Sequence, residues 1–168
     1  MTDPDYYNEI APSYNNLHGE EQIKKAKIIL EEILKHKTKG ILLDIGGGTG
    51  ISTEIFMENF DCILLDPSEK LLELGNPSIE KILAEAEELP FADSKFDVII
   101  SLTALHHADI KQAIKEIKRV SKEDTKIAIS FLKKSSKLEE FRTIFKENFK
   151  SREIEEDKDS GSLSTTSM

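Results

Sequence analysis

Short apolar runs alternate with amphipathic stretches along most of this 168-residue chain. The runs are rich in Ile, Leu and Val, which is typical of parallel strands that are buried on both faces. We predict five such strands, at Ile41–Ile45, Asp61–Asp66, Ile79–Ala84, Phe96–Ser101 and Lys126–Phe131. The amphipathic stretches carry apolar residues three and four positions apart, which predicts helices. These helices are expected at Glu20–His36, Gly50–Asn59, Ser68–Leu74, Ile110–Ser121 and Ser136–Phe149.

Strands and helices that alternate in this way predict an α/β fold, a three-layer, doubly wound and mostly parallel sheet with right-handed crossovers. We divide one predicted domain into an N-terminal lid and helix at 1–39, a core at 40–150 and a tail at 151–168. Two structures remain open for the tail. It forms a short antiparallel edge hairpin, which we favour, or it stays frayed because it is acidic and rich in Ser and Thr.

Composition narrows the classes of function. The net charge of −9 disfavours broad nucleic-acid binding but leaves room for a local basic patch. No apolar run approaches the ~20 residues that span a membrane, and the acidic N-terminus does not resemble a signal peptide. The single cysteine, Cys62, lies in a predicted strand, so we expect it in the core and expect a reducing compartment such as the cytoplasm. A solvated helix face is the favoured interpretation of the N-terminal lysines Lys24, Lys25, Lys27, Lys35, Lys37 and Lys39.

A glycine-rich turn follows the first predicted strand. The stretch Asp44–Gly50 holds four glycines within five residues, which indicates that another group must approach the backbone closely. The dinucleotide fingerprint G-x-G-x-x-G does not fit, because Ile51 stands where the third glycine would be. The spacing that fits is D-x-G-x-G-x-G, through Asp44, Gly46, Gly48 and Gly50.

With this motif the chain resembles the class I S-adenosylmethionine (SAM) dependent methyltransferases, and the Leu105-His106-His107 segment is similar to the menaquinone and ubiquinone biosynthesis type. The resemblance extends over residues 6–131. It implies SAM as the cofactor, S-adenosylhomocysteine as the product and no metal. It also implies that Asp44, Gly46, Gly48 and Gly50 lie at the amino-acid end of SAM.

The resemblance assigns further cofactor contacts to residues that follow later strands. Asp66 would bind the two ribose hydroxyls, since a carboxylate accepts from both; its alternative role is a helix cap, to which Ser68 is better suited. Glu85 and Ala86 would contact the adenine, unless this acidic loop is only solvated. Pro67 is a further expected contact.

Two other strand-end positions and one N-terminal residue complete the expected site. Leu102 would contact the cofactor, and Tyr14 would act as a lid or else cover the first helix. His106 or His107 would be the general base if the acceptor needs one, because a neutral imidazole accepts a proton near neutral pH. The alternative is a structural hydrogen bond in the turn.

The resemblance implies methyl transfer to an unidentified acceptor. A small molecule is the favoured acceptor, because no large insertion interrupts the predicted sheet to cover a bigger one. A non-catalytic SAM-binding module that regulates a partner protein stays open. So does an RNA or protein methyltransferase that needs a partner subunit, and we also keep a homodimer or an activating subunit open.

Overall fold

The computed structural model describes the backbone of residues 14–155 and 162–167, and the side chains of residues 19–150. Its helices are α1 (Tyr14–Leu34), α2 (Glu69–Glu73), α3 (Ile110–Val120) and α4 (Leu138–Asn148), with 3₁₀ helices at Thr53–Phe56 and Leu105–His107. Its strands are β1 (Ile41–Ile45), β2 (Asp61–Asp66), β3 (Glu80–Leu83), β4 (Phe96–Leu102), β5 (Ser121–Phe131), β6 (Ser151–Glu155) and β7 (Ser162–Ser167).

One sheet contains all of these strands in the order β3-β2-β1-β4-β5-β7-β6. The five strands from β1 to β5 pair in parallel, which confirms the predicted α/β fold with a parallel sheet. β7 pairs antiparallel with β5, and β6 pairs antiparallel with β7. The chain between β6 and β7 lies outside the described residues. The chain order reverses between β1 and β4, and a ligand cleft is expected beyond the carboxyl ends of strands at such a point.

Helices cover both faces of the sheet. On one face α1 packs Ala26, Ile29 and Ile33 into an apolar cluster with β1 and β4, and the half-buried Cys62 lies against this cluster. On the other face α3 and α4 bury their apolar sides, with Ile114 and Phe141 among the fully buried residues. Within the described chain, no helix combines the length and the apolarity needed to cross a membrane.

Two helix predictions were wrong in extent. The predicted helix Gly50–Asn59 forms only the 3₁₀ helix Thr53–Phe56. Gly50 adopts a φ of +79°, which ends regular helix geometry there, and the β-branched residues that follow have low helix propensity. The first helix begins at Tyr14 rather than Glu20 and ends at Leu34 rather than His36.

Candidate active site

A cleft opens at the carboxyl ends of β1, β2 and β4, where the strand order reverses. It is lined by Ile45, Gly46, Leu65, Asp66, Pro67, Leu71, Ala86, Leu102, Thr103, Ala104, Leu105, His107 and Ala108. A smaller side pocket shares Gly46 and Leu102 with the cleft and is completed by α1 and the glycine turn. Its other lining residues are Gln22, Gly47, Ile51 and Ser52. The structure therefore brings six of the predicted site residues to one cleft: Gly46, Asp66, Pro67, Ala86, Leu102 and His107.

The glycine turn has a backbone that only glycine adopts without strain. Gly46, Gly48 and Gly50 have φ values of +73°, +61° and +79°, in the left-handed region that side chains disfavour. A Cβ on Gly46 would lie 2.5 Å from the Cβ of Ala104 across the cleft wall. The turn is thus packed so closely against the end of β4 that a side chain at Gly46 would force the cleft open.

Asp44 is fully buried behind this turn. Thr53 donates a hydrogen bond from Oγ1 to Asp44 Oδ2 at 2.7 Å, whereas Oδ1 is buried without a protein partner. Burial raises the pKa of Asp44 to about 7, and the charge of Asp66 adds to the effect, against the lowering influence of the Thr53 bond. A buried acceptor without a donor is rare in native proteins, so the free oxygen fits a donor group of a ligand.

The Asp66 carboxylate accepts hydrogen bonds from both the glycine turn and the residue that precedes α2. Its Oδ2 accepts from the Gly48 amide at 2.9 Å and its Oδ1 accepts from the Ser68 amide at 2.8 Å. Ser68 Oγ accepts from the Leu71 amide and caps α2, as predicted. Burial raises the pKa of Asp66 to about 6 despite the two amide bonds. The carboxylate is not left without protein partners as the cap argument implied, but each oxygen keeps a second lone pair for a ligand.

The end of β4 carries a contact that the sequence did not predict. Lys25 was expected on a solvated face, yet it is 3% exposed and its Nζ donates to Thr103 Oγ1 at 3.0 Å. Thr103 has a φ of +53°, and its amide donates to Ser130 Oγ at 2.9 Å. The available signal was helical spacing, since Lys25 lies four residues before the buried Ile29 on the same side of α1.

The two histidines occupy different environments. His107 lines the cleft, whereas the Nδ1 atom of His106 is buried without a hydrogen-bond partner and its ring packs edge-on against Phe131. Burial lowers the pKa of His106 to about 4, and the positive charges of His107, Lys137 and Lys25 act in the same direction. His106 is therefore neutral near pH 7 and is a weak base.

The loop after β3 is held by α3. Arg119 donates from Nη1 to the Phe91 carbonyl at 2.8 Å and from Nη2 to the Leu89 carbonyl at 2.9 Å, while Glu116 Oε2 accepts from the Leu89 amide. This clamp fixes the loop that brings Ala86 into the cleft. Glu85 is exposed and does not line the cleft.

Two further residues complete the account of the site. Gln22, which was not predicted, lines the side pocket, and its Oε1 atom is buried without a hydrogen-bond partner. The side chain of Tyr14 lies outside the described residues, so its predicted lid role is not addressed by the structure.

Known proteins of similar sequence identify one family for this chain, and solved structures share its fold. A family model described as a methyltransferase domain matches residues 43–129, just over half of the chain. The demethylmenaquinone methyltransferase of Renibacterium salmoninarum is 28% identical over 149 residues, which cover 84% of this chain and 62% of that protein. The chain spans about half the length of the curated relatives that it matches, from 47% to 62% of four of them at 28% to 34% identity.

Solved structures share the fold over nearly the whole chain. A candidate SAM-dependent methyltransferase of Methanococcus maripaludis superposes with a TM-score of 0.78 at 20% identity, covering 95% of this chain and 92% of that one. A complex of the Haloferax volcanii Trm112 methyltransferase activator with a candidate methyltransferase gives 0.78 at 15% identity, covering 99% and 96%. The family match, together with the glycine turn and cleft described above, shows that this chain belongs to the SAM-dependent methyltransferases.

Proposed function

We propose that the chain binds SAM in the cleft and transfers its methyl group to an acceptor. The observation that carries this proposal is the pair of buried carboxylates, Asp44 and Asp66, against the glycine turn. Among the described residues neither carboxylate forms an ion pair with Lys or Arg. Such a site favours a cationic ligand, and SAM carries a sulfonium and an ammonium. The pyrophosphate of a nicotinamide dinucleotide would meet the same two acids with the wrong charge.

The described polar atoms fit the parts of SAM. The unpartnered Asp44 Oδ1 would accept from the ammonium of the amino-acid end, and the unpartnered Gln22 Oε1 lies at the adjoining side pocket. Asp66 would accept from the ribose hydroxyls with its remaining lone pairs. Pro67 and Ala86 offer apolar surface to the adenine. Gly46, Gly48 and Gly50 would allow the ligand to approach the backbone closely. Leu102, which lines both the cleft and the side pocket, would separate these two parts of the site.

Bound SAM would supply a methyl group on a sulfonium, which is already an excellent leaving group. What the chain contributes is position, because holding two reactants in line can lower a barrier by up to about 7–11 kcal/mol in model reactions. His106, with a pKa of about 4, does not serve as a base near neutral pH. His107 lines the cleft and is the histidine that we propose as a base where the acceptor requires one.

Titration calorimetry with SAM tests the donor site. We expect the wild type to bind SAM and Asp66→Asn to bind at least tenfold more weakly, a loss of about 1.4 kcal/mol or more. Asp61→Asn is the matched control, because Asp61 begins the same strand but its side chain is exposed. A wild type that does not bind SAM, or an Asp66→Asn protein that binds as tightly as the control, would overturn the proposal.

The acceptor that we favour is a small molecule, since the cleft is formed by short loops and holds no inserted segment of its own between β1 and β5. The alternative is a site or an activity completed by a partner subunit, as in a regulatory module or an RNA or protein methyltransferase. Two exposed leucines support this alternative, because Leu74 is 54% exposed and Leu83 is 57% exposed beside the β3 edge of the sheet. Radiolabelled SAM incubated with separate metabolite, RNA and protein fractions distinguishes the acceptors. Stable capture of one protein without label transfer would favour the regulatory module.

A further inference from the structure

A groove of about 570 Å³ lies between α3 and α4, outside the cleft. Its lining begins at Asp109, the residue that follows Ala108 of the cleft, and no residue lines both surfaces. None of the groove residues belongs to the proposed donor site. The groove is therefore a separate concave surface that starts beside the cleft, and SAM binding does not explain it.

Three exposed lysines, Lys111, Lys115 and Lys118, line the α3 side of the groove. They stand four and three positions apart, so they share one face of the helix. At 1.5 Å of rise per residue the row is about 10 Å long. None of the three forms an ion pair among the residues with described side chains. The acid next to the row, Glu116, is bonded instead to Arg119.

The core packing of α3 does not require this row of lysines. The helix buries its other side, with Ile110, Ile114 and Ile117 in the core. Like charges four positions apart destabilise a helix slightly, and an acid at one of the lysine positions would relieve this repulsion without touching the core. The row is thus suited to an anionic group that comes from outside the helix.

The α4 side of the groove has a different character. Ile144 is half-buried and packs against the core, so it offers an apolar contact at the groove. Asn148 donates from Nδ2 to the Ile144 carbonyl at 2.8 Å. Glu147 is an exposed acid on this side. The groove therefore has a basic wall on α3 and an apolar and acidic wall on α4.

These two walls favour a protein segment over a nucleic acid. A nucleic acid carries phosphates along its whole length, and they would approach Glu147 as well as the lysines. The net charge of −9 would oppose a polyanion further. An amphipathic helix instead carries acids on one face and apolar residues beside them, and helices dock in grooves through such residues three and four positions apart.

We propose that the groove between α3 and α4 binds an acidic amphipathic helix of a partner protein. Its acids would lie against Lys111, Lys115 and Lys118, and its apolar side would lie against Ile144. The inference goes beyond the proposed function and does not depend on it, because it uses no residue of the donor site. A bound partner would lie next to the cleft, since Asp109 follows Ala108 directly.

A synthetic peptide tests the groove. The probe is a capped peptide of about 16 residues, with Glu three and four positions apart on one face, Leu on the adjacent face and Ala elsewhere. Its counterpart carries Gln in place of every Glu. Each peptide is titrated into ¹⁵N-labelled protein while the backbone amide resonances are followed. The Glu peptide should shift α3 and Ile144 and should bind at least fivefold more tightly than the Gln peptide. Added salt should reduce this preference.

Two triple variants with the same loss of charge separate the groove from the net charge. The preference for the Glu peptide should disappear in the variant with Lys111→Gln, Lys115→Gln and Lys118→Gln. It should remain in the control variant, which replaces three exposed lysines outside the groove by Lys24→Gln, Lys27→Gln and Lys39→Gln. Both variants should bind S-adenosylhomocysteine as the wild type does.

Several results would overturn the inference. They are the absence of binding, equal affinity for the two peptides, and shifts confined to residues outside α3 and α4. A preference that survives in the groove variant, or that the control variant loses equally, would do the same. A single-stranded oligonucleotide of equal charge that binds these lysines more tightly than the Glu peptide would replace the acidic helix by a nucleic acid. A protein that binds the Glu peptide through the three lysines but does not bind SAM would refute only the proposed function.

Discussion

Replacement of Asp44 by Asn should remove a loss of stability that the ligand-free protein undergoes as the pH rises. Asp44 is fully buried, and in the folded chain its pKa is raised from 3.8 to about 7. The folded state therefore binds this proton more tightly than the unfolded state does. A raised pKa contributes stability that is complete below the unfolded value and is lost as pH rises through the folded value.

The magnitude follows from these two pKa values. One pKa unit corresponds to about 1.4 kcal/mol, so the ionisation of Asp44 should remove about 3 kcal/mol of stability between about pH 5 and about pH 8.5. The side-chain amide of the Asp44→Asn variant cannot ionise, and the Thr53 hydroxyl can still donate to its carbonyl oxygen. The amide nitrogen at the unpartnered Oδ1 position has a free-energy cost in the folded state, and this cost does not change with pH.

Urea unfolding followed by circular dichroism measures this difference. The free energy of unfolding of Asp44→Asn minus that of the wild type should rise by about 3 kcal/mol over the stated pH range. The control is Asp61→Asn, which removes an exposed carboxylate and should leave the pH profile parallel to wild type. An Asp44→Asn profile parallel to that of the wild type would refute the argument that burial raises the pKa of this carboxyl group. Weaker SAM binding by the same variant would show that the buried carboxylate contributes to ligand binding.

Three further predictions concern the rest of the site. Gly46→Ala should lower both the folding equilibrium constant and the SAM affinity at least tenfold, because its Cβ would lie 2.5 Å from that of Ala104. Denaturation and calorimetry measure these two effects. Partial rescue by Ala104→Gly would separate the contribution of the clash from that of the φ strain. Arg119→Lys should destabilise the chain by about 1–3 kcal/mol, since a single ammonium nitrogen cannot reproduce the planar fork that places one nitrogen on each loop carbonyl, and should speed amide exchange at Leu89. Finally, the ring resonances of His106, assigned with His106→Gln, should titrate with a midpoint of about 4; a midpoint near 6.5 would show that the ring is solvated.

The sequence predicted the elements around the glycine turn well because their patterns are local. β1 and β2 have the predicted bounds, since apolar runs ended by an acid identify buried parallel strands. The glycine spacing predicted a turn with close contacts, and three of its glycines have positive φ values. Ser68 caps α2 as its residue type suggests.

The rest of the site depends on contacts between residues far apart in the chain. Lys25 meets Thr103 across 78 positions, and the long side chain of lysine is equally suited to solvent, so residue type predicted the wrong environment. The role of Arg119 was also hidden, because its partners are backbone carbonyls, which carry no sequence signal. The helix predicted after Gly50 failed because the turn continues to Thr53, whose hydroxyl bonds to Asp44.

The placement of α1 has a consequence for the way in which ligands enter and leave. The helix buries Ala26, Ile29 and Ile33 in the core, and its Gln22 lines the side pocket. Lifting α1 would expose at least the two isoleucines, at about 1.5–3 kcal/mol each, so such an opening would be populated roughly once in a hundred molecules or less. Exchange through the loops at the strand ends avoids this barrier. Attempts to widen acceptor scope should therefore redesign those loops and leave α1 intact, because a shortened α1 would lose core packing.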